Sequence, residues 1–587
     1  MVKAVWLAAL FALLAQLAWA ECVQVERIVI ARDGSVEPLD APVERVGDVY
    51  RLTASVCSRK GLVVEASNVV IEGGGFVLAG MKLQGSAGVQ LVHVRNVTVR
   101  NLSIHDFYYG MRVEFSEGVS LEELNVSGCA EGVSVANSTR VGVVGSRFYG
   151  NVLGVSTLYS RSFEISNCAI EGGYWGVFAS HSPGVRVIGC TISNSSWGVL
   201  LLSSHRSTIA WNSFEGTGFY PFESFELTVA NNTVNGKPLV YLEGVEGVEV
   251  RDAGQIVVVS SNRVAVVGVN VSRTSVGIAL IRTNNSLVES CNVAESRWGV
   301  LVHGAKSSRV ANCIIARNEV GLYLYESSGG EFSGNLLLFN GVGLRLAGSS
   351  GNLVWRNCLV ANRVEAEVAG GQGNLLDWGP NGGNYWSAHY AEDANRDGVL
   401  DQPYPVGAGN VDRYPLASCP LALKLPEPAP SCRLRLEVNE SVVSKVEAGA
   451  TGVVKVSVSG ALPLKAVCFA IGNISTGWFR WDRSENGWDA LSKTLAVKLP
   501  TPGTHVMKAE VRDAAGRPAT CETIIHVEEA AAPKPPPPAG WRPDVVSIVL
   551  VCAALLALSR VLKHRKRVAE LVRGLSENLR ETLLNSA

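Results

Sequence analysis

Three consecutive stretches decide the fold: GVSVANSTRVGVVGSRFYGNVL (132–153), GVSTLYSRSFEISNCAIEGGYW (154–175) and GVFASHSPGVRVIGCTISNSSW (176–197). Each is 22 residues long and opens on Gly-Val. Gly110 and Gly198 extend the series, and Gly277, Gly299, Gly321 and Gly343 resume it with the same step. A second marker runs in phase: Asn101, Leu124, Ser146, Cys168, Cys190, Asn212 and Asn232, then Val269, Cys291, Cys313, Asn335 and Cys358. The interval from Gly198 to Gly277 is three steps plus 13 residues, so one turn there carries an insertion.

Such a period has a physical meaning. Each repeat holds about three short runs of alternating apolar residues, such as 163–165 and 185–188, separated by tight turns. One repeat cannot bury its apolar face, whereas stacked repeats put like residue over like and build a continuous interior. A repeat of 22 residues rich in Val, Asn and Gly is too short for a helix pair, and the Leu-x-x-Leu-x-Leu frame of leucine-rich repeats is missing. A parallel β-helix is the reading that remains. Its 587 residues are also too many for one ordinary core.

The stretches NVVIEGGGFVLAG (68–80), NNTVNGKPLVYLEG (231–244), GGNYWSAHY (382–390) and DANRDGVLDQPYPV with DRYPL (393–416) add a resemblance. Together with the repeats, they resemble the NosD-like branch of right-handed β-helix proteins, over roughly residues 21–418, and the two closing motifs are the most specific. The resemblance implies a right-handed solenoid of the pectin-lyase-like type. It also implies two settings: assistance in maturing a copper enzyme, nitrous-oxide reductase, or a surface protein with another task. Where the family shows Asp after the Trp-Ser pair, this chain has Ala388, so the role of that carboxylate is lost.

The two ends speak of a membrane. Lys3, an apolar run over 4–17 and Ala18-Trp19-Ala20 before Glu21 form a secretory signal peptide, 1–20. At the other end, a Pro-rich spacer (529–543) leads into an apolar span (544–562) followed by Lys563, Arg565, Lys566 and Arg567. The positive-inside rule then puts the basic amphipathic tail, 563–587, in the cytoplasm and the bulk of the chain outside. Between the ends we expect an N-terminal cap with first rungs (21–95), the β-helix (96–380), a closing segment (381–418) and a β-sandwich (432–528) resembling PKD or immunoglobulin-like modules. The expected fold class is all-β, with one C-terminal transmembrane helix. A formal net charge of −1 gives no reason to expect a nucleic-acid partner.

The candidate sites follow from residue type and spacing. Asp393, Asn395, Asp397 and Asp401, with the Val399 carbonyl and Gly398 for the turn, match the first half of a Ca²⁺ loop. The glutamate expected at position twelve is replaced by Tyr404, and an Asp/Asn/Gly turn without metal is the alternative. Tyr109, Trp175, Trp197 and Trp298 each precede a marker glycine, which suggests an outward ladder, with Trp175 and Trp197 about 5 Å apart, able to stack on sugar rings. The competing reading is that the rings cover turns. Of the 13 cysteines, Cys22/Cys57 and Cys468/Cys521 suit bridges in an oxidising compartment, and the cysteines at the marker position suit a stacked interior, mostly as thiols. Copper is not expected, because Met appears four times and no His-x-His pair occurs. No catalytic set is read: between 101 and 360 the only aspartates are Asp106 and Asp252, the glutamates are scattered without a repeat register, and His105-Asp106 and His303…Lys306…Arg309 stand as lone candidates. The resulting expectation is a cell-surface protein, single-pass in the cell membrane, for binding or adhesion to an extracellular glycan or another surface protein. A NosD-like accessory to copper-enzyme maturation or transport and a polysaccharide lyase or hydrolase are the alternatives.

Overall fold

The computed structural model describes residues 22–380, 382–421, 431–438, 441–442, 445–447, 451–459, 464–471, 474–480, 492–498 and 503–528. The expected signal peptide, Pro-rich spacer, transmembrane span and tail lie outside them. Among the described residues, no helix is long and apolar enough to cross a membrane.

The chain from Val23 onward winds into an all-β, right-handed-type solenoid of about 15 turns. Three faces arise because each turn contributes three strands, which pair in parallel with their equivalents 22 residues on. Val133 lies over Val155, then Val177 and Val199, on the first face. Val141 lies over Phe163 on the second, and Phe148 over Ile170 and Ile192 on the third. All of these side chains are buried, so the period-2 alternation sends one apolar file inward from each face. At the N-terminal end, antiparallel pairs Ile28–Ile30 with Val36–Glu37 and Val43–Val46 with Val49–Leu52 cover the first turns. Cys22–Cys57 staples this end.

The insertion read from the sequence is a break in the solenoid. Lys237–Glu243 pairs antiparallel with Thr233–Val234, then parallel with Gln255–Val259, so the third face of the first arm continues into the first face of the second. The core divides accordingly into one cluster up to Leu239 and another from Val250. Phe219–Phe222 is thereby left as the last strand of its sheet, with no turn stacked above it. Two buried side chains take the place of that missing turn. The Gln255 amide accepts from Phe219 N at 2.9 Å and donates to Phe219 O and Val276 O at 2.7 and 2.8 Å. Ser275 Oγ accepts from Gly198 N and Gly218 N at 3.3 and 3.0 Å.

At the C-terminal end, Tyr385–Trp386 adds the last rung to Cys358–Val360. Beyond Ser431 the strands form antiparallel sheets of four and five strands. Tyr385 Oη donates to Ala514 O at 2.8 Å, tying the closing segment to the second of those sheets.

Three expectations change. The bridge in the C-terminal sheets is Cys432–Cys521, not Cys468–Cys521, because Cys432 and Cys521 bring their Cα atoms to 5.7 Å. Cys358 is not a member of the stacked thiol file: it is in register with Leu336 and is bonded to Cys419. Asn357 holds the file position instead, accepting from Asn335 N at 3.0 Å. Asn101 is likewise an exposed, left-handed corner residue, and buried Leu102 is its inward neighbour. Elsewhere the file stands as read. Ser146 N faces Cys168 Sγ, Cys168 N faces Cys190 Sγ, and Cys291 N faces Cys313 Sγ, each at 3.4 or 3.5 Å, and all of these cysteines are buried thiols.

Candidate functional site: a polar groove on the third face

The four aromatic residues chosen from the sequence do not form an outward ladder. Trp175 and Trp197 are backbone partners, but Trp175 stacks on Phe178 at 5.1 Å and Trp197 on Tyr220 at 5.6 Å. Trp298, from the second arm, meets Trp197 edge-on at 4.9 Å and Tyr323 at 5.3 Å. Trp197 is only 5% exposed. These rings join Val257, Val276, Ala279 and Leu301 in a separate apolar cluster at the junction of the arms. The strands there, QIVVV and VGIALI, are buried on both faces, which explains their unbroken apolar sequence. The tryptophans are therefore seam residues. Tyr109 is apart from them, beside Tyr108 and under the Arg112 guanidinium at 5.5 Å.

The seam also takes in His303, one of the lone candidates. It is 2% exposed, stacked on Phe222 at 5.4 Å and tilted against Tyr325 at 4.8 Å. Burial first, and then the Arg282 charge, push its pKa down to about 4, so it is a neutral packing group.

The calcium candidates are placed on one turn. Asp393 accepts from Asp397 N and Gly398 N, at 3.1 and 3.0 Å. Asp397 accepts from Val399 N at 2.8 Å and from the Asn395 amide at 2.9 Å, and Asp401 accepts from Ala394 N at 3.0 Å. Their oxygens thus cap backbone donors around the loop. Among the described residues, no group of three or more His, Cys, Asp or Glu side chains is placed to hold a metal ion. As far as His, Cys, Asp and Glu ligands go, that finding covers copper as well as calcium, and burial holds the Cys129 thiol up at about 11.

The surface that remains is on the third face. A groove of about 540 Å³ is lined by Asn125, Arg147, Phe148, Tyr149, Ala169 and Glu171. Its construction is a direct result of strand alternation. In Arg147–Tyr149, Phe148 points into the core while Arg147 and Tyr149 face out. Asn125, Arg147 and Ala169 form one outward file, and Ser127, Tyr149 and Glu171 the next. Ala169 is short where its neighbours Arg147, Tyr149 and Glu171 are long, and this leaves the hollow. Tyr149 is 48% exposed, a large aromatic face open to solvent. Neither Arg147 nor Glu171 is in an ion pair among the described residues, so both charged ends are available.

The same file continues to His105, which lies beside Ser127. His105 Nδ1 is 3.0 Å from Asp106 Oδ2, and Lys82 Nζ is 3.0 Å from Asp106 Oδ1. Asp106 is itself held at a left-handed corner with φ 61. Gly128, one turn on, is required there: a Cβ would lie 2.8 Å from Asp106 Oδ1, and its φ is +64. Sequence reasoning had isolated His105-Asp106 but missed Asn125, Arg147, Tyr149 and Glu171. The signal available was the pair of outward files at 22-residue spacing, interrupted by small residues.

Stacked parallel turns with inward apolar files define the chain as a β-helix solenoid. It belongs to the NosD family: the family described as "Periplasmic copper-binding protein (NosD)" matches residues 49–218 and 215–391. No curated protein matches the sequence. Among solved structures, the chain is similar to the catalytic domain of a GH87 α-1,3-glucanase in complex with nigerose, at 12% identity, 47% of this chain, 58% of that one and a TM-score of 0.24. It is also similar to a mutant of the periplasmic alginate epimerase AlgG (12% identity, 56% and 68% covered, TM-score 0.19). A third is the Azotobacter vinelandii mannuronan C-5 epimerase AlgE6 A-module (14% identity, 56% and 88%, TM-score 0.18). The chain spans less than two thirds of the glucanase domain that it matches.

Proposed function

We propose that this NosD-family solenoid is a cell-surface protein that binds a glycan along its third face, with the Arg147–Tyr149–Glu171 groove as the contact. The carrying observation is the composition of that groove: an open aromatic face flanked by an amide and by a cation and a carboxylate that have no ion-pair partner among the described residues. Sugar rings present apolar CH faces that pack on aromatics, and hydroxyls that both donate to carboxylates and accept from guanidinium and amide groups. A long solenoid with outward files in repeat register suits a polymer.

Screening the full-length chain against a glycan array tests this. Binding is expected, and Tyr149→Ala should weaken it about tenfold or more, whereas Trp211→Ala, on an exposed corner elsewhere, should leave it unchanged. Array binding indifferent to Tyr149→Ala would remove the groove from the proposal. The anchored topology belongs to the same reading, motivated by the basic residues after the apolar span at 544–562. Protease applied to intact cells should then leave only a small C-terminal fragment.

Calcium at 393–401 is a separate proposal, since an ion would have to draw Asp397 and Asp401 away from their backbone donors. A calcium site predicts a melting temperature that rises with Ca²⁺ and loses the rise in Asp397→Ala; identical melting in Ca²⁺ and chelator assigns the segment as a turn.

A further inference from the structure

We propose that the groove takes a uronate-bearing polysaccharide and that His105 is the base that removes the proton next to its carboxylate, making the third face a lyase site. The inference rests on the glycan-binding reading above and adds the substrate class and a reaction.

The ligand class follows from charge. Arg147 is an exposed guanidinium with no anionic partner among the described residues, and Asn125 is the next residue in its file. A guanidinium fork and an amide form a receptor for a planar carboxylate. Glu171 is in the adjacent file, beyond Tyr149, so the anion-attracting end of the groove is the end toward Asn125 and His105.

The reaction follows from what faces that end. Ser127 is between His105 and Tyr149 in one file, with neighbouring turns about 4.8 Å apart. Its short side chain leaves a gap flanked by an imidazole and a phenol. Arg147 and Asn125 border the gap from the next file, two residues away along the strands. His105 is fixed through Nδ1 by Asp106, which pairs with Lys82 and has room beside it because Gly128 carries no side chain. Among the described residues, Nε2 has no hydrogen-bond partner. An imidazole oriented at one nitrogen and open at the other is the arrangement of a general base.

A uronate seated over Ser127 would place its carboxylate on Arg147 and Asn125, which neutralise the charge that develops when the adjacent C5–H bond breaks. The C5 proton goes to His105 Nε2. The electron pair forms the C4=C5 double bond as the C4–O4 bond breaks, and the Tyr149 hydroxyl protonates the departing oxygen. Solvent returns one proton to Tyr149 and takes one from His105. The products are an unsaturated uronate end and a new chain end, with no oxidant or reductant required.

The test uses the full-length chain with polygalacturonate and alginate as uronate probes and dextran as the neutral control. Binding and the ultraviolet absorbance of the conjugated double bond are measured together. We expect uronate binding and slow release of unsaturated product. His105→Gln should reduce the rate about 10²- to 10⁴-fold with binding changed less than about threefold. Arg147→Ala should weaken uronate binding about tenfold or more. All of these side chains are exposed or half-exposed, and unchanged melting of each variant confirms folding. Uronate binding without product, or product unaffected by His105→Gln, overturns the base assignment and leaves the groove as a binding site. Binding of dextran in preference to uronates overturns the substrate class. Binding of no glycan overturns the parent reading itself.

Discussion

Asn357 illustrates how much one inward side chain carries in this fold. Its Oδ1 accepts from Asn335 N and Nδ2, and its Nδ2 donates to Phe332 O at 2.8 Å and Asn384 Oδ1 at 2.9 Å. Truncation to alanine orphans buried donors and acceptors on both adjacent turns, so Asn357→Ala should lower stability by about 2–4 kcal/mol, read as a fall in urea midpoint. Asn285→Ala removes an amide contact on an exposed corner and puts alanine at a left-handed φ of 50, and should cost only about 1 kcal/mol. The same position shows where sequence reading stops. From Asn335 the 22-residue step lands on Asn357, yet the neighbouring Cys358 was the more conspicuous residue. Because strand alternation inverts every other side chain, a slip of one residue turned a disulfide partner into an imagined file member. Register between distant turns was legible; partners fixed by the closing segment, such as Cys419, were not.

At the scale of the element, the closing segment is held by Asp412. Its carboxylate accepts from Asn384 N at 2.7 Å, Trp386 Nε1 at 2.8 Å and Tyr414 N at 3.1 Å. Burial outweighs those donors and raises the pKa from an ordinary 3.8 to about 6. The folded form therefore binds the proton more tightly than the unfolded chain. The stability contribution is complete below about pH 4 and is lost as pH rises through 6, an effect of about 3 kcal/mol. Urea midpoints for wild type should fall between pH 4 and 7, and Asp412→Asn should flatten part of that fall. Asp513, whose pKa burial also raises, contributes a residual slope in the same direction. An unaltered slope in the variant would place the titration elsewhere. The motif at 382–416 announced a closing element from sequence, but its central carboxylate was invisible, because its role depends on Trp386 and Asn384 arriving from another strand.

At the scale of the whole molecule, the seam is the coupling between two arms. Each arm has its own apolar core, and Trp197, Tyr220 and Trp298 join them across the break. Repeat solenoids unfold as neighbouring units linked by interface energies. Trp197→Ala removes a nearly fully buried ring and should cost about 3–5 kcal/mol. Unfolding that is single in wild type should separate into two phases as the arms lose their common partner. A single phase in the variant would assign the coupling to the continuous sheet through Thr233–Val234 and Lys237–Glu243 instead. The periodicity revealed both arms and even counted the extra residues between them. It could not reveal that the tryptophans face each other, since residues 101 positions apart share no repeat phase across the insertion.

The Gln255 and Ser275 bonds to the unpaired edge at Phe219–Phe222 have one more effect. A stack of near-identical 22-residue turns is degenerate: shifted by one whole turn, it still lays valine on valine. Two amide and hydroxyl groups that occur once per molecule remove that degeneracy, because they fit only one edge. They act as an origin mark on an otherwise uniform scale. Whole turns added to or deleted from either arm, away from the seam and groove, would change its length without disturbing the count on the other side, so the reach of this surface is free to vary while its corner stays fixed.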